Sequence, residues 1–60
     1  MELKLAYVSP DGNSAIFFRG VSQYNYFRDE DKLWIELAKG GTRLYNCHSL
    51  LNECKKMLQA

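Results

Sequence analysis

The chain has 60 residues, 8 basic and 7 acidic side chains giving a net charge of +1, 13% aromatic content and two cysteines. At this length a single chain buries about 60% of its unfolded surface, near the lower limit for folding alone, so residues 1–60 are read as a single compact domain. The charge balance excludes an overall field for nucleic acid or an anionic membrane and leaves such binding to local patches. Two cysteines exclude a disulfide-stapled secreted miniprotein and favour a reducing, cytoplasmic setting, and no segment approaches the ~20 apolar residues of a membrane span.

In chain order, Leu3, Leu5 and Tyr7 alternate with Lys4 and Ala6, the period of a half-buried strand. The strand ends at Ser9-Pro10-Asp11-Gly12-Asn13, where proline presets a turn and Gly12 or Asn13 can take positive φ. Ala15-Ile16-Phe17-Phe18 has no polar residue on either face, which predicts a strand covered on both sides or one with an adhesive outer face, paired with the first strand as a hairpin. Gly20 interrupts, and Ser22 to Arg28 resumes an extended pattern rich in Tyr and Phe. After the polar loop Asp29-Glu30-Asp31, the segment Lys32 to Ala38 alternates Leu33, Ile35 and Leu37 with Trp34 and Glu36. A Lys39-Gly40-Gly41 turn then returns the chain antiparallel through Thr42 to Asn46.

The last segment changes period. Leu50, Leu51, Cys54, Met57 and Leu58 recur on one helical face, opposite Asn52, Glu53, Lys55, Lys56 and Gln59. Ser49 is the expected N-cap, since its hydroxyl can accept from a free amide of the first turn. The expected fold is therefore α+β: a small curled antiparallel sheet of about four to five strands with one C-terminal amphipathic helix packed on one face.

One short helix shields one face of such a sheet. Leu3, Leu5, Ile16, Leu33, Ile35, Leu37 and Leu44 are expected beneath it, leaving Phe17, Trp34 and either Tyr45 or Phe27 on the other face. Three outcomes are open for those aromatic rings: packing under the segment from Gly20 to Phe27, burial against a second copy across a two-fold axis, or contact with another molecule.

Catalysis lacks a constellation. His48 is the sole imidazole and stands between Cys47 and Ser49, but neighbours along an extended chain point apart and form no dyad. Cys47, His48 and Cys54 lack the paired spacing of a zinc site, and Asp29-Glu30-Asp31 lacks the alternating oxygens and glycine bend of a calcium loop. No cofactor or metal is expected. Arg19 and Arg28 adjoin aromatic residues, and Lys39, Arg43, Lys55 and Lys56 complete a dispersed basic set of the kind that binds single strands by stacking and phosphate contact.

From Val21 to Leu58 the order is aromatic strand, polar loop, Leu/Ile strand, glycine turn, short strand and His-Ser-Leu-Leu helix start. This order resembles the first half of the LytTR-type DNA-binding domains of bacterial response regulators. The second half of that domain, which carries much of its DNA contact, has no counterpart here, and the resemblance assigns no binding residue.

The expected function is that of a small non-enzymatic binding or regulatory module of a bacterial or phage type. It would dock a sheet face on a protein partner and self-associate as a homo-oligomer, through Trp34, Phe17 and Tyr45 with Arg19, Arg43 and Tyr24 at the rim. The alternative is a small nucleic-acid-binding regulator that uses Arg, Lys and aromatic residues on the sheet and loops. No membrane association is expected.

Overall fold

The computed structural model describes residues 2–59. Five strands follow in chain order, β1 (Leu3–Val8), β2 (Ser14–Arg19), β3 (Ser22–Phe27), β4 (Lys32–Glu36) and β5 (Thr42–Leu44), and then one helix, α1 (His48–Gln59). Each strand pairs antiparallel with the next, so the sheet is an open meander of order β1-β2-β3-β4-β5. The α+β architecture expected from the change of hydrophobic period is the one observed, with five strands and the helix last.

The turns fix the register. Gly20 has φ 63° and Val21 follows it fully exposed, while Arg19 pairs with Ser22. Such a two-residue loop with positive φ at its first position matches the twist of the flanking strands and places glycine there. At the other end of the sheet, the Ser9 backbone amide donates to the Ser14 carbonyl at 2.9 Å and Gly12 takes φ 74°. Asn13 joins this turn to the β3–β4 loop: its backbone carbonyl accepts from the Arg28 amide at 2.7 Å and its side-chain Oδ1 from the Asp29 amide at 3.1 Å.

The core comprises Leu3, Ala15, Phe17, Tyr24, Tyr26 and Leu33 from the sheet with Leu50 and Cys54 from the helix. Ile35, Tyr45, Cys47, Leu51, Met57 and Leu58 pack around it. Cross-strand partners lie on the same face of a sheet, and the register carries this set across the strands, with Ala15 opposite Tyr26 opposite Leu33, and Phe17 opposite Tyr24 opposite Ile35. The helix-covered face is therefore rich in aromatic residues.

This reverses the expected phase of β2. Phe17, expected on the open face, is 0% exposed beneath the helix, and Ile16 lies on the open face instead. Leu44 also moves, because it pairs with Trp34 rather than Ile35. In β1 the register shifts between Leu5 and Tyr7, so Ala6 is an extra residue and Tyr7 leaves the face of Leu3 and Leu5 to stand opposite Ile16. That is the geometry of a β-bulge, where one added residue inverts the side-chain alternation beyond it.

The helix begins one residue earlier than its expected cap. The Leu51 amide donates to the Cys47 carbonyl at 3.0 Å, which makes Cys47 the N-cap, with Ser49 already inside the first turn. Lys55 reaches from α1 to Asp31 in the β3–β4 loop, Nζ to Oδ1 2.5 Å. No helix among the described residues is long and apolar enough to cross a membrane.

Candidate functional site

The open face is built from the outward residues of all five strands. One continuous row crosses it at right angles to the strands: Tyr7, Ile16, Asn25, Trp34 and Leu44, each the cross-strand partner of the next. Tyr7 is 51% and Leu44 43% exposed, while Ile16 and Trp34 are half-buried by their neighbours. Phe18, 39% exposed, stands beside the row two residues beyond Ile16 on β2, and Phe27 stands on the other side, two residues from Asn25 on β3. The charged strand residues on this face are Lys4, opposite Phe18, and Lys32 and Glu36, which flank Trp34 along β4, and from outside the strands Glu30 reaches the Trp34 ring and Glu2 lies beside Lys4 and Phe18.

Trp34 is half-buried and held in place. Its indole Nε1 donates to Glu30 Oε1 at 3.3 Å, so the polar handle of the ring is satisfied from the β3–β4 loop and the rest of the ring is apolar surface. A buried indole usually needs such a partner for its N–H. Because the loop supplies it, a second surface covering Trp34 would not have to.

Other expected site residues gather elsewhere. The Tyr24 and Tyr45 ring centroids are 5.1 Å apart at 57°. The Arg19 guanidinium sits 5.7 Å from the centre of the Tyr24 ring, and its Nη2 donates to the Tyr24 hydroxyl at 3.3 Å. This trio lies on the helix side, with Tyr24 only 2% exposed, so Tyr24 is a core residue rather than a rim residue of the open face. Arg43 pairs with Ile35 and points to the helix side as well, exposed on β5 beyond the cover that α1 provides. Of the six expected residues, Trp34 alone stands on the open face.

Beside the Arg19 trio, a groove of about 530 Å³ is lined by Arg19, Cys47, Ser49, Asn52, Glu53 and Lys56, with Leu50 at its base. The Cys47 sulfur lies 3.4 Å from Ser49 Oγ. That contact, followed by the backbone amides of Leu50 and Ser49, holds the Cys47 thiol below its usual value. Burial instead pushes Cys54 up to about 11. His48 is exposed between Cys47 and Ser49. Cys47 and Cys54 are about 10 Å apart along the helix by its rise per residue, and the described residues contain no cluster of three or more metal-ligating side chains.

Comparison with known protein families, curated proteins and solved structures finds no match. The likeness of element order to LytTR-type domains therefore carries no family assignment, and the functional reading rests on the chain's own surface.

Tyr7, Ile16, Phe18 and Leu44 are the face residues that the sequence reading misses. A signal for Ile16 and Phe18 exists. Once Gly20 and Val21 are taken as the two-residue loop of a hairpin, Phe17 must face Tyr24 and Ala15 must face Tyr26. The alternation of Leu33 and Ile35 then draws both tyrosines, and Phe17 with them, into the core.

Proposed function

We propose that the chain is a small non-enzymatic binding module that docks its open sheet face on protein and self-associates through it. The observation that carries this reading is the row Tyr7-Ile16-Asn25-Trp34-Leu44 with Phe18 beside it, a largely apolar and aromatic stripe with one amide, Asn25, at its centre, on the side of the sheet away from the helix. Exposed surface rich in apolar and aromatic side chains marks interaction sites on soluble proteins. Aromatic anchors such as Trp34 concentrate binding energy where they are enclosed. Trp34 arrives at the interface with its N–H already bonded, which lowers the cost of enclosing it.

The placement of the arginines favours protein over nucleic acid as the partner. Arg19 is engaged with Tyr24 on the helix side, Arg28 is in the β3–β4 connection and Arg43 points to the helix side of β5. Single-strand binding needs cations interleaved with stacking rings on one surface, and the open face instead carries lysines together with Glu36.

Light scattering over a wide range of protein concentration tests the proposal. The expected result is a mass that rises from monomer to dimer, and a Trp34→Lys variant that stays monomeric with an unchanged circular dichroism spectrum. Moderate salt should shift the transition little, whereas nucleic-acid binding would weaken steeply through counterion release. A dimer that survives both Trp34→Lys and Phe18→Lys would overturn the assignment of the face.

A further inference from the structure

We infer that the occupant of the open face is a second copy of this chain, related by a two-fold axis that runs along the row and crosses the strands, with Lys32 of each copy against Glu36 of the other. The inference rests on the docking reading of that face and adds its symmetry and its charge pairing.

Two in-plane two-fold axes pack this face on itself with the strands of the two copies aligned. An axis parallel to the strands sets β4 over β2 of the second copy, which brings Glu36 over Phe18 and Lys32 over Ser14. It would cover a carboxylate with a phenyl ring, with Lys4 of that copy on the neighbouring strand rather than directly opposite, and leave Lys32 over Ser14 without a partner, which is costly. An axis along the row sets each strand over its own copy and exchanges the two sides of the row. Lys32 and Glu36 stand two residues to either side of Trp34 on the same strand and face. The operation therefore places each opposite the other, twice in the dimer.

The row itself is compatible with this axis. Trp34 meets Trp34, Ile16 meets Ile16 and Leu44 meets Leu44. At its centre Asn25 meets Asn25, and an amide, being both donor and acceptor, is complementary to its own copy. Aligned packing of two sheets at about 10 Å is the ordinary arrangement of a sandwich, and the distance suits a lysine reaching a glutamate across it.

The size of the face sets the strength. Five strands at about 4.8 Å and about six residues at about 3.3 Å give a face of roughly 24 by 20 Å, or on the order of 1,000 Å² covered over both copies. Interfaces of that size belong to the weak, reversible class. The dimer should therefore dissociate on dilution.

Reciprocal charge exchange tests the symmetry. Lys32→Glu would put carboxylates opposite one another and Glu36→Lys would do the same with ammonium groups, so each single variant should weaken the dimer on the order of tenfold in sedimentation equilibrium. The double variant Lys32→Glu, Glu36→Lys should restore it. Lys32 and Glu36 are about 13 Å apart along one strand, too far for pairing within one chain to account for the rescue. A dimer that dissociates with Trp34→Lys but ignores both single charge reversals would overturn the axis and leave the docking face standing. A chain monomeric at every concentration would overturn both.

Discussion

At the scale of single residues, the two cysteines show how position along one helix sets chemistry. Cys47 caps the helix, where the Ser49 hydroxyl and the first-turn amides favour its thiolate, while Cys54 is enclosed in the core and holds its proton up to about 11. A disulfide-exchange reagent at mildly alkaline pH should label one thiol per chain quickly and reach the second only as fast as the core opens, a difference that a time course of absorbance reads directly. Because the Cys54 thiol titrates higher in the folded chain than its ordinary 9.0, the folded state holds that proton more tightly. Its contribution to stability is complete below pH 9 and is lost as the pH rises towards 11. Denaturant titrations across that window should show the loss, and Cys54→Ala should remove that part of the pH dependence. Phe17 makes a sharper case. It is fully enclosed at the centre of the sheet, so Phe17→Ala should cost about 3–5 kcal/mol. In a domain of this size that approaches the entire folding free energy, and far-UV circular dichroism should find the variant largely unfolded.

At the scale of elements, the turns decide more than the strands do. β4 is legible because Leu33 and Ile35 alternate with polar or amphipathic neighbours, and α1 is legible because its apolar residues recur at helical spacing. β2 is not, since Ala15, Ile16, Phe17 and Phe18 offer an apolar residue to either face and composition leaves the phase undetermined. Its phase comes from Gly20, through the loop that sets Phe17 against Tyr24. Gly20→Val should therefore cost about 1–2 kcal/mol, the penalty for a side chain at that backbone angle, whereas Gly20→Asn should be better tolerated. Urea midpoints of the two variants would show the order. At the opposite end, Asn13 bonds the β1–β2 turn to the β3–β4 loop through its Oδ1. Asn13→Ala should lower stability by about 1 kcal/mol and, in hydrogen exchange, selectively release the Asp29 amide. The bulge at Ala6 had no signature in a strand that alternates cleanly on paper. The plain alternation would keep Tyr7 with Leu3 and Leu5, and the bulge is what turns its ring to the open face.

At the scale of the whole molecule, a core of eight buried residues among those described must hold a five-strand sheet against the entropy of the chain. Domains of this size have only a few kcal/mol in reserve, about 3–5, so association through the face would be felt as stability. The thermal midpoint of the wild-type chain should climb as its concentration is raised, by mass action on the folded form. That of Trp34→Lys should stay flat. The open meander also leaves two sheet edges, and these meet different fates from the face. β5 is only three residues long, and β1 is bent by its extra residue, Ala6. Short or kinked edges are poor templates for the addition of further strands. Growth by edge pairing has no natural end and leads to fibrils, whereas packing face to face consumes its own surface and stops at a finite particle. The displaced alanine of β1 thus gives the chain a safeguard against amyloid, and its deletion, which would straighten that edge, is the change after which filaments should first be sought.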